Sequence, residues 1–193
     1  MAGTANLILN ILFALFPLLF LLCSKDLLHS VRKLGLGVVC SLSIVLCMLN
    51  PFHIIPGYIL DLRTIPLLIA ILYGGYISGA LASSTLYLFR FYLGGEGVWN
   101  VLIVYGAVIV LLFLLVPIYQ EWNEGKKVIS STYIALMTSL LVVINTHFRE
   151  GLPLDVLNTL TVYVVLHGFT AFIAIASMEA WRARDKEGRR VYV

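Results

Sequence analysis

DLRTIPLLIAILYGGYISGALASSTLYLFRFYLGG, residues 61 to 95, is an apolar run bracketed by charges and interrupted at its centre by Gly74-Gly75. A single helix of that length would rise about 50 Å at 1.5 Å per residue, against a membrane hydrocarbon core of roughly 30 Å. The run is too long for one crossing and suits two short helices that turn back at the glycine pair. Pro66 sits in the first turns of the first of them, where a missing N–H costs least. Asp61, just ahead, is placed to cap that helix.

Outward from this run the chain stays apolar. Of its 193 residues 61% are hydrophobic and 12% charged, with a mean hydropathy of +0.99, whereas about a quarter of residues are charged in soluble domains. The composition is that of an integral membrane protein made of spans and short loops, without a soluble catalytic domain. Apolar windows predict spans at about 5–23, 34–50, 62–74, 76–93, 98–118, 128–146 and 156–180. Helices are expected throughout, because lipid-exposed backbone must satisfy its own hydrogen bonds and the windows lack the alternation of a barrel. The predicted fold is therefore an all-α bundle of six to seven transmembrane helices with a short broken pair at 62–93. Residues 1–182 form the membrane domain and 183–193 a short basic tail. The first apolar run lacks a basic n-region and reads as a permanent helix.

The positions of the charges explain the net +3 better than any nucleic-acid partner does. With loops assigned alternately to the two faces, one face collects Lys25, Arg32, Lys33, Lys126, Lys127, Arg182, Arg184, Lys186, Arg189 and Arg190. The other holds only Arg63, Arg90 and Arg149. This asymmetry places the C terminus in the cytoplasm. It also supports the break at Gly74-Gly75, since a single crossing of 62–93 would put the flanking basic loops on opposite faces.

Charged groups within spans are costly and carry a functional expectation. Asp61, Arg63, Arg90 and Glu96 fall near the outer ends of the two short helices, with Asn50 and His53 close in sequence. One reading is an outer ligand site in which Arg63 and Arg90 contact an anionic or polar group and Asp61 and Glu96 orient them. The other is that Asp61 and Arg63 cap a helix and pair at the interface while Arg90 snorkels to the headgroups. On the first reading, Arg63→Ala or Arg90→Ala abolishes a response and leaves the protein folded. Asn145, His147 and Arg149 read as ordinary interfacial polarity, and His167 as a neutral imidazole bonded to another helix.

Gly75 and Gly79 mark close helix contacts. Trp99, Trp122, Trp181, Tyr58, Tyr92 and Tyr119 fall at span ends, where an aromatic belt is expected. Cys23, Cys40 and Cys47 lie in or beside apolar runs without CxxC spacing and read as core residues. No catalytic motif, metal-ligand cluster or cofactor signature is present, so neither enzyme activity nor a metal or cofactor is expected of this polypeptide.

NPFHIIPGYILDLRTIPLLIAILYGGYISGALASSTLYLFRFYLGG resembles the signature of the bacterial five-transmembrane receptor domain of the LytS type. Gly57, Asp61, Arg63, Pro66, Gly74, Gly75, Arg90, Gly94 and Gly95 match that pattern. FALFPLLFLL and CMLNPF are also similar to the sensor region of sporulation kinase B. The resemblance implies a bacterial membrane sensor of a two-component system or diguanylate cyclase, passing an envelope or membrane stimulus to a cytoplasmic output domain or partner kinase. A small ligand or membrane lipid would be the stimulus, and such sensors generally act as homodimers. After Trp181 the chain continues as RARDKEGRRVYV, without a phospho-accepting histidine helix or GGDEF motif. Either the output lies outside this sequence or the chain works through another subunit. The short-helix arrangement also looks like the substrate-binding S component of vitamin transporters, which presents a ligand pocket toward the outside. A structural subunit without ligand would make the outer polar residues dispensable.

Overall fold

Leu72 ends one helix and Gly75, at φ +81°, begins the next, so the chain does reverse at the glycine pair. The computed structural model describes residues 2–24, 29–55, 58–95, 97–150 and 154–191. Seven helices run through these residues: α1 (Ala2–Cys23), α2 (His29–Leu49), α3 (Thr64–Leu72), α4 (Gly75–Leu93), α5 (Gly97–Glu121), α6 (Glu124–Glu150) and α7 (Leu154–Val191). The all-α class and the helical segmentation are as expected. Between α2 and α3, however, the predicted outer loop forms a small antiparallel hairpin, β1 (Phe52–Ile55) with β2 (Tyr58–Leu60). Its two strands satisfy each other's backbone groups where no helix continues.

Five helices, α1, α2, α5, α6 and α7, are long and apolar enough to cross a membrane. Nine-residue α3 rises only about 14 Å, less than half the hydrocarbon thickness. All nine of its residues are buried, so it is an internal helix sheathed by the others. α4 buries Ser78, Gly79, Ala82, Ser83, Leu86 and Arg90 and turns Tyr76, Ile77, Leu88 and Phe91 outward. Small and polar inside with large and apolar outside reverses the rule for a soluble helix, and fits one that faces lipid on one side.

Contacts along the helices fix their alternation. Tyr73, at the end of α3, meets Tyr119 near the end of α5, ring centroids 5.6 Å apart, and the Arg182 guanidinium of α7, 5.1 Å from its ring. Ser78, one turn into α4, donates to the Lys33 carbonyl near the start of α2. The α3–α4 turn therefore lies at the end of the bundle that carries Arg32, Lys33, Lys126, Lys127 and Arg182, here the basic end. Asp61, Asn100 and Thr146 lie toward the opposite, hairpin end. The last helix runs through Val191, so the first residues of the expected tail continue α7.

Glycines allow the closest approaches. A Cβ on Gly79 would lie 2.8 Å from Ile71 and 2.9 Å from Phe113, which bears out the tight packing expected of α4. On Gly37 it would stand 2.8 Å from the Ser78 Cα, so α2 and α4 meet almost backbone to backbone. At Gly74 it would lie 2.5 Å from both the Ala70 carbonyl oxygen and the Ser78 Cβ. Gly74→Ala is therefore expected to cost about 1–3 kcal/mol, as overpacking does. Thermal unfolding in detergent measures it, and an unchanged midpoint would show that the turn has room to spare.

Candidate functional site

Asp61 precedes α3 by three residues and its carboxylate turns back on the chain. Oδ1 accepts from the Arg63 backbone N–H at 3.0 Å and from Arg63 Nε at 2.6 Å. The expected cap thus forms just ahead of the helix, while Arg63 itself stands at the N-cap without a side-chain cap bond. Asp61 is 4% exposed, Arg63 2% and Arg90 2%. Asp61 and Arg63 pair in the interior, and the Arg90 side chain is buried beside them.

The pair is deep. Thr64 and Tyr105 share a hydroxyl hydrogen bond of 2.9 Å, and Tyr105 is eight residues into α5, about 12 Å below that helix's start. The Arg63 guanidinium lies 5.6 Å from the Tyr105 ring, a cation–π contact in a dry setting. From α7, the Tyr163 hydroxyl donates to the Asp61 carbonyl oxygen at 3.0 Å and meets His167 Nδ1 at 3.2 Å. His167 was expected to bond another helix; its partner is one turn away on its own, and Tyr163 makes the reach between helices.

Neighbouring amides close the site. Asn100 donates to Thr146 Oγ1 at 2.8 Å and accepts from Asn145 at 2.7 Å, joining α5 to α6. Asn145 was read as interfacial polarity, yet its amide completes this buried group. Asp61, Arg63, Arg90, Asn100, Tyr105, Thr146 and Tyr163 surround a cavity of about 20 Å³. That volume holds about one water. Asp61 Oδ2 and Arg63 Nη1 are buried without a hydrogen-bond partner, so two polar atoms of the pair remain to be satisfied.

On the other side of α3, Asn10 of α1 binds three backbone groups. Its amide nitrogen donates to the Cys47 and Asn50 carbonyls at 2.9 and 2.8 Å, and its oxygen accepts from the Leu62 N–H at 2.8 Å. Asn10 thereby fixes the end of α2 against the residue between Asp61 and Arg63.

The sequence-predicted residues divide accordingly. Asp61, Arg63 and Arg90 converge. Asn50 does not: its side chain donates to the Leu46 carbonyl in the last turn of α2. The His53 backbone lies in β1. Glu96 and Gly57 lie outside the described residues. Gly94 and Gly95 take φ +66° and +85° and stop α4 where the sequence predicts, with the Gly94 N–H bonded to the Arg90 carbonyl. Tyr119 leaves the expected aromatic belt, being fully buried and bonded to Tyr73 and Ser131. Asn10, Asn100, Tyr105, Thr146 and Tyr163 were missed; a lone asparagine within an apolar run was the available signal for Asn10.

Such an arrangement sets two guanidinium groups and one carboxylate around a water-sized cavity. It can hold an anion or a water between two guanidinium groups and change its packing when the occupant changes. Among known families, one described as 5TMR of 5TMR-LYT matches residues 16–178. No curated protein and no solved structure matches the chain.

Proposed function

The chain belongs to the five-transmembrane receptor family, 5TMR of 5TMR-LYT, and on that premise we propose that it is the signal-input module of a bacterial membrane signalling system. The stimulus acts on the Asp61–Arg63–Arg90 cluster from the outer face. The response leaves through α7 at a cytoplasmic C terminus, toward a kinase or cyclase output in the same or a partner polypeptide. A homodimer would suit such an output.

The observation that carries this reading is the hydrogen bond from Tyr163 to the Asp61 carbonyl, because it ties the buried ionic cluster to the helix that continues to Val191. α3 touches α7 again at its other end, where Arg182 covers Tyr73. A short helix held against α7 through Asp61 ahead of it and Tyr73 after it converts a rearrangement at Asp61 into a displacement at Arg182. A ligand drives this only if it binds one arrangement better than the other. The cavity at this cluster is water-sized. An anion reaching Arg63 and Arg90 must open it, and that opening is the signal. The vitamin-carrier alternative would require the same cluster to open much further, to admit a vitamin-sized ligand.

Continuing α7 into the dimerisation helix of a histidine kinase of known output tests the reading. In membranes, phosphorylation by this chimera is expected to change with one of a panel of small organic anions. Arg90→Gln is expected to remove the change. Tyr163→Phe is expected to cost no more than about 1.5 kcal/mol of stability while reducing the response. Output that stays flat across the panel, or that responds equally in the Arg90 variant, would overturn the assignment.

A further inference from the structure

A second, larger cavity lies at the basic end, some distance from the ionic cluster. It measures about 730 Å³ and is bounded by the end of α1, the start of α2, the α3–α4 turn, the end of α5 and α7. That size falls within the range of ordinary small-molecule sites. Its walls divide by chemistry. Leu21, Leu36, Val116 and Met178 make an apolar floor, whereas Arg32, Lys33 and Arg182 bring three cations to one rim. Glu179, 3.7 Å from Arg182, offsets one of them.

The two guanidinium groups are held by aromatic faces: Arg32 stands 5.7 Å from the Trp181 ring and Arg182 5.1 Å from the Tyr73 ring. Stacking fixes a guanidinium plane, and an arginine held in this way can meet a bidentate acceptor such as phosphate edge-on. At the mouth stand Leu34, Tyr76 and Ile77, which are 52%, 58% and 75% exposed on helices that face lipid. The opening is therefore apolar, and the charged rim lies where the helices leave the hydrocarbon.

We propose that this cavity is a binding site for an anionic phospholipid of the leaflet at the basic end, its phosphate between Arg32 and Arg182 and its acyl chain leaving past Leu34 and Ile77. Basic pockets between transmembrane helices are suited to such headgroups. A soluble anion would use the rim and leave the apolar mouth without purpose. Because the α3–α4 turn and Trp181–Arg182 form opposite walls, a bound lipid bridges α3 to α7. The proposal stands on the cavity alone and does not depend on the sensor reading.

Native mass spectrometry of the full chain, released from nanodiscs of mixed phosphatidylglycerol and phosphatidylcholine, tests it. The wild type is expected to keep phosphatidylglycerol preferentially. R32Q/R182Q is expected to keep it on the order of ten- to thirty-fold less, while Lys126→Gln, which removes a nearby exposed cation outside the cavity, changes nothing. Ile77→Trp adds bulk at the mouth without altering charge and is expected to exclude the lipid too, which keeps the test decisive should the double variant fold poorly. Equal retention of the two lipids, equal loss in the Lys126 variant, or undiminished retention in both cavity variants overturns the proposal. Displacement of the lipid by soluble glycerol phosphate at comparable concentration would assign the rim to a free anion instead, and would overturn it as well.

Discussion

Arg63→Ala destabilises the folded protein by about 3–5 kcal/mol, the cost of leaving one member of a buried ion pair without the other. Asp61 keeps its place against the Arg63 backbone N–H, but its carboxylate then faces a dry interior 4% exposed to solvent. The sequence alone suggested that this substitution would spare the fold; the depth of the pair reverses that expectation. Unfolding in mixed micelles measures the loss. A second variant separates stability from sensing. Asp61→Asn combined with Arg63→Met keeps the oxygen that accepts from residue 63 and replaces the pair by groups of similar size. Buried pairs exchanged in this way often cost little or even gain stability. The double variant is therefore expected to recover most of the loss and still give no response in the kinase chimera. Near-wild-type stability of Arg63→Ala would mean that water reaches the pair freely and that the site is a surface one. A responsive double variant would mean that the pair is scaffolding.

This ambiguity is built into the geometry. The same interaction that holds α3 in place is the one an incoming anion must loosen, since Asp61 occupies the Arg63 Nε edge in the arrangement seen. An anion that reaches Arg63 competes with Asp61, and competition of that kind gives a ligand different affinities for two packings. A pair costly to break from one side suits a switch, because the resting arrangement is then well defined.

What the sequence disclosed was local. Length and a glycine pair placed the turn between α3 and α4, and Gly94-Gly95 placed the end of α4, because each depends on a few adjacent residues and on one physical constraint. The cost of burying charge singled out Asp61, Arg63 and Arg90 without any knowledge of their neighbours. Partners from other helices were not legible. Tyr163 lies about a hundred residues from Asp61 and Asn100 forty-six from Thr146, and nothing in an apolar window says which face of its helix turns inward. The β1–β2 hairpin escaped notice because a short loop beside a membrane offers too few residues for alternation to show. α3 looked like a crossing because hydropathy cannot tell a helix buried in protein from one buried in lipid.

Asn10 is where that missing tertiary information is most concentrated, and its removal has the second-largest expected effect. Asn10→Ala leaves the Leu62 N–H and the Cys47 and Asn50 carbonyls without the side chain that joins them. Leu62 is 1% exposed, so water is poorly placed to substitute. A buried amide left unsatisfied costs about 1–3 kcal/mol, and the two carbonyl bonds add to it, for a total on the order of 2–4 kcal/mol. Asn50→Ala is the matched control: its side chain bonds the Leu46 carbonyl in the last turn of α2, and its loss is expected to stay below about 1 kcal/mol. Hydrogen exchange at the Leu62 amide reports the mechanism directly, accelerating in Asn10→Ala and not in Asn50→Ala. Because Leu62 lies between Asp61 and Arg63, loosening it frees both charges, so Asn10→Ala is further expected to shift the basal output of the chimera without touching any residue that meets the stimulus. Unchanged stability and exchange together would mean that the α1 contact is incidental and that α3 is anchored instead through Tyr105, Tyr163 and Tyr119.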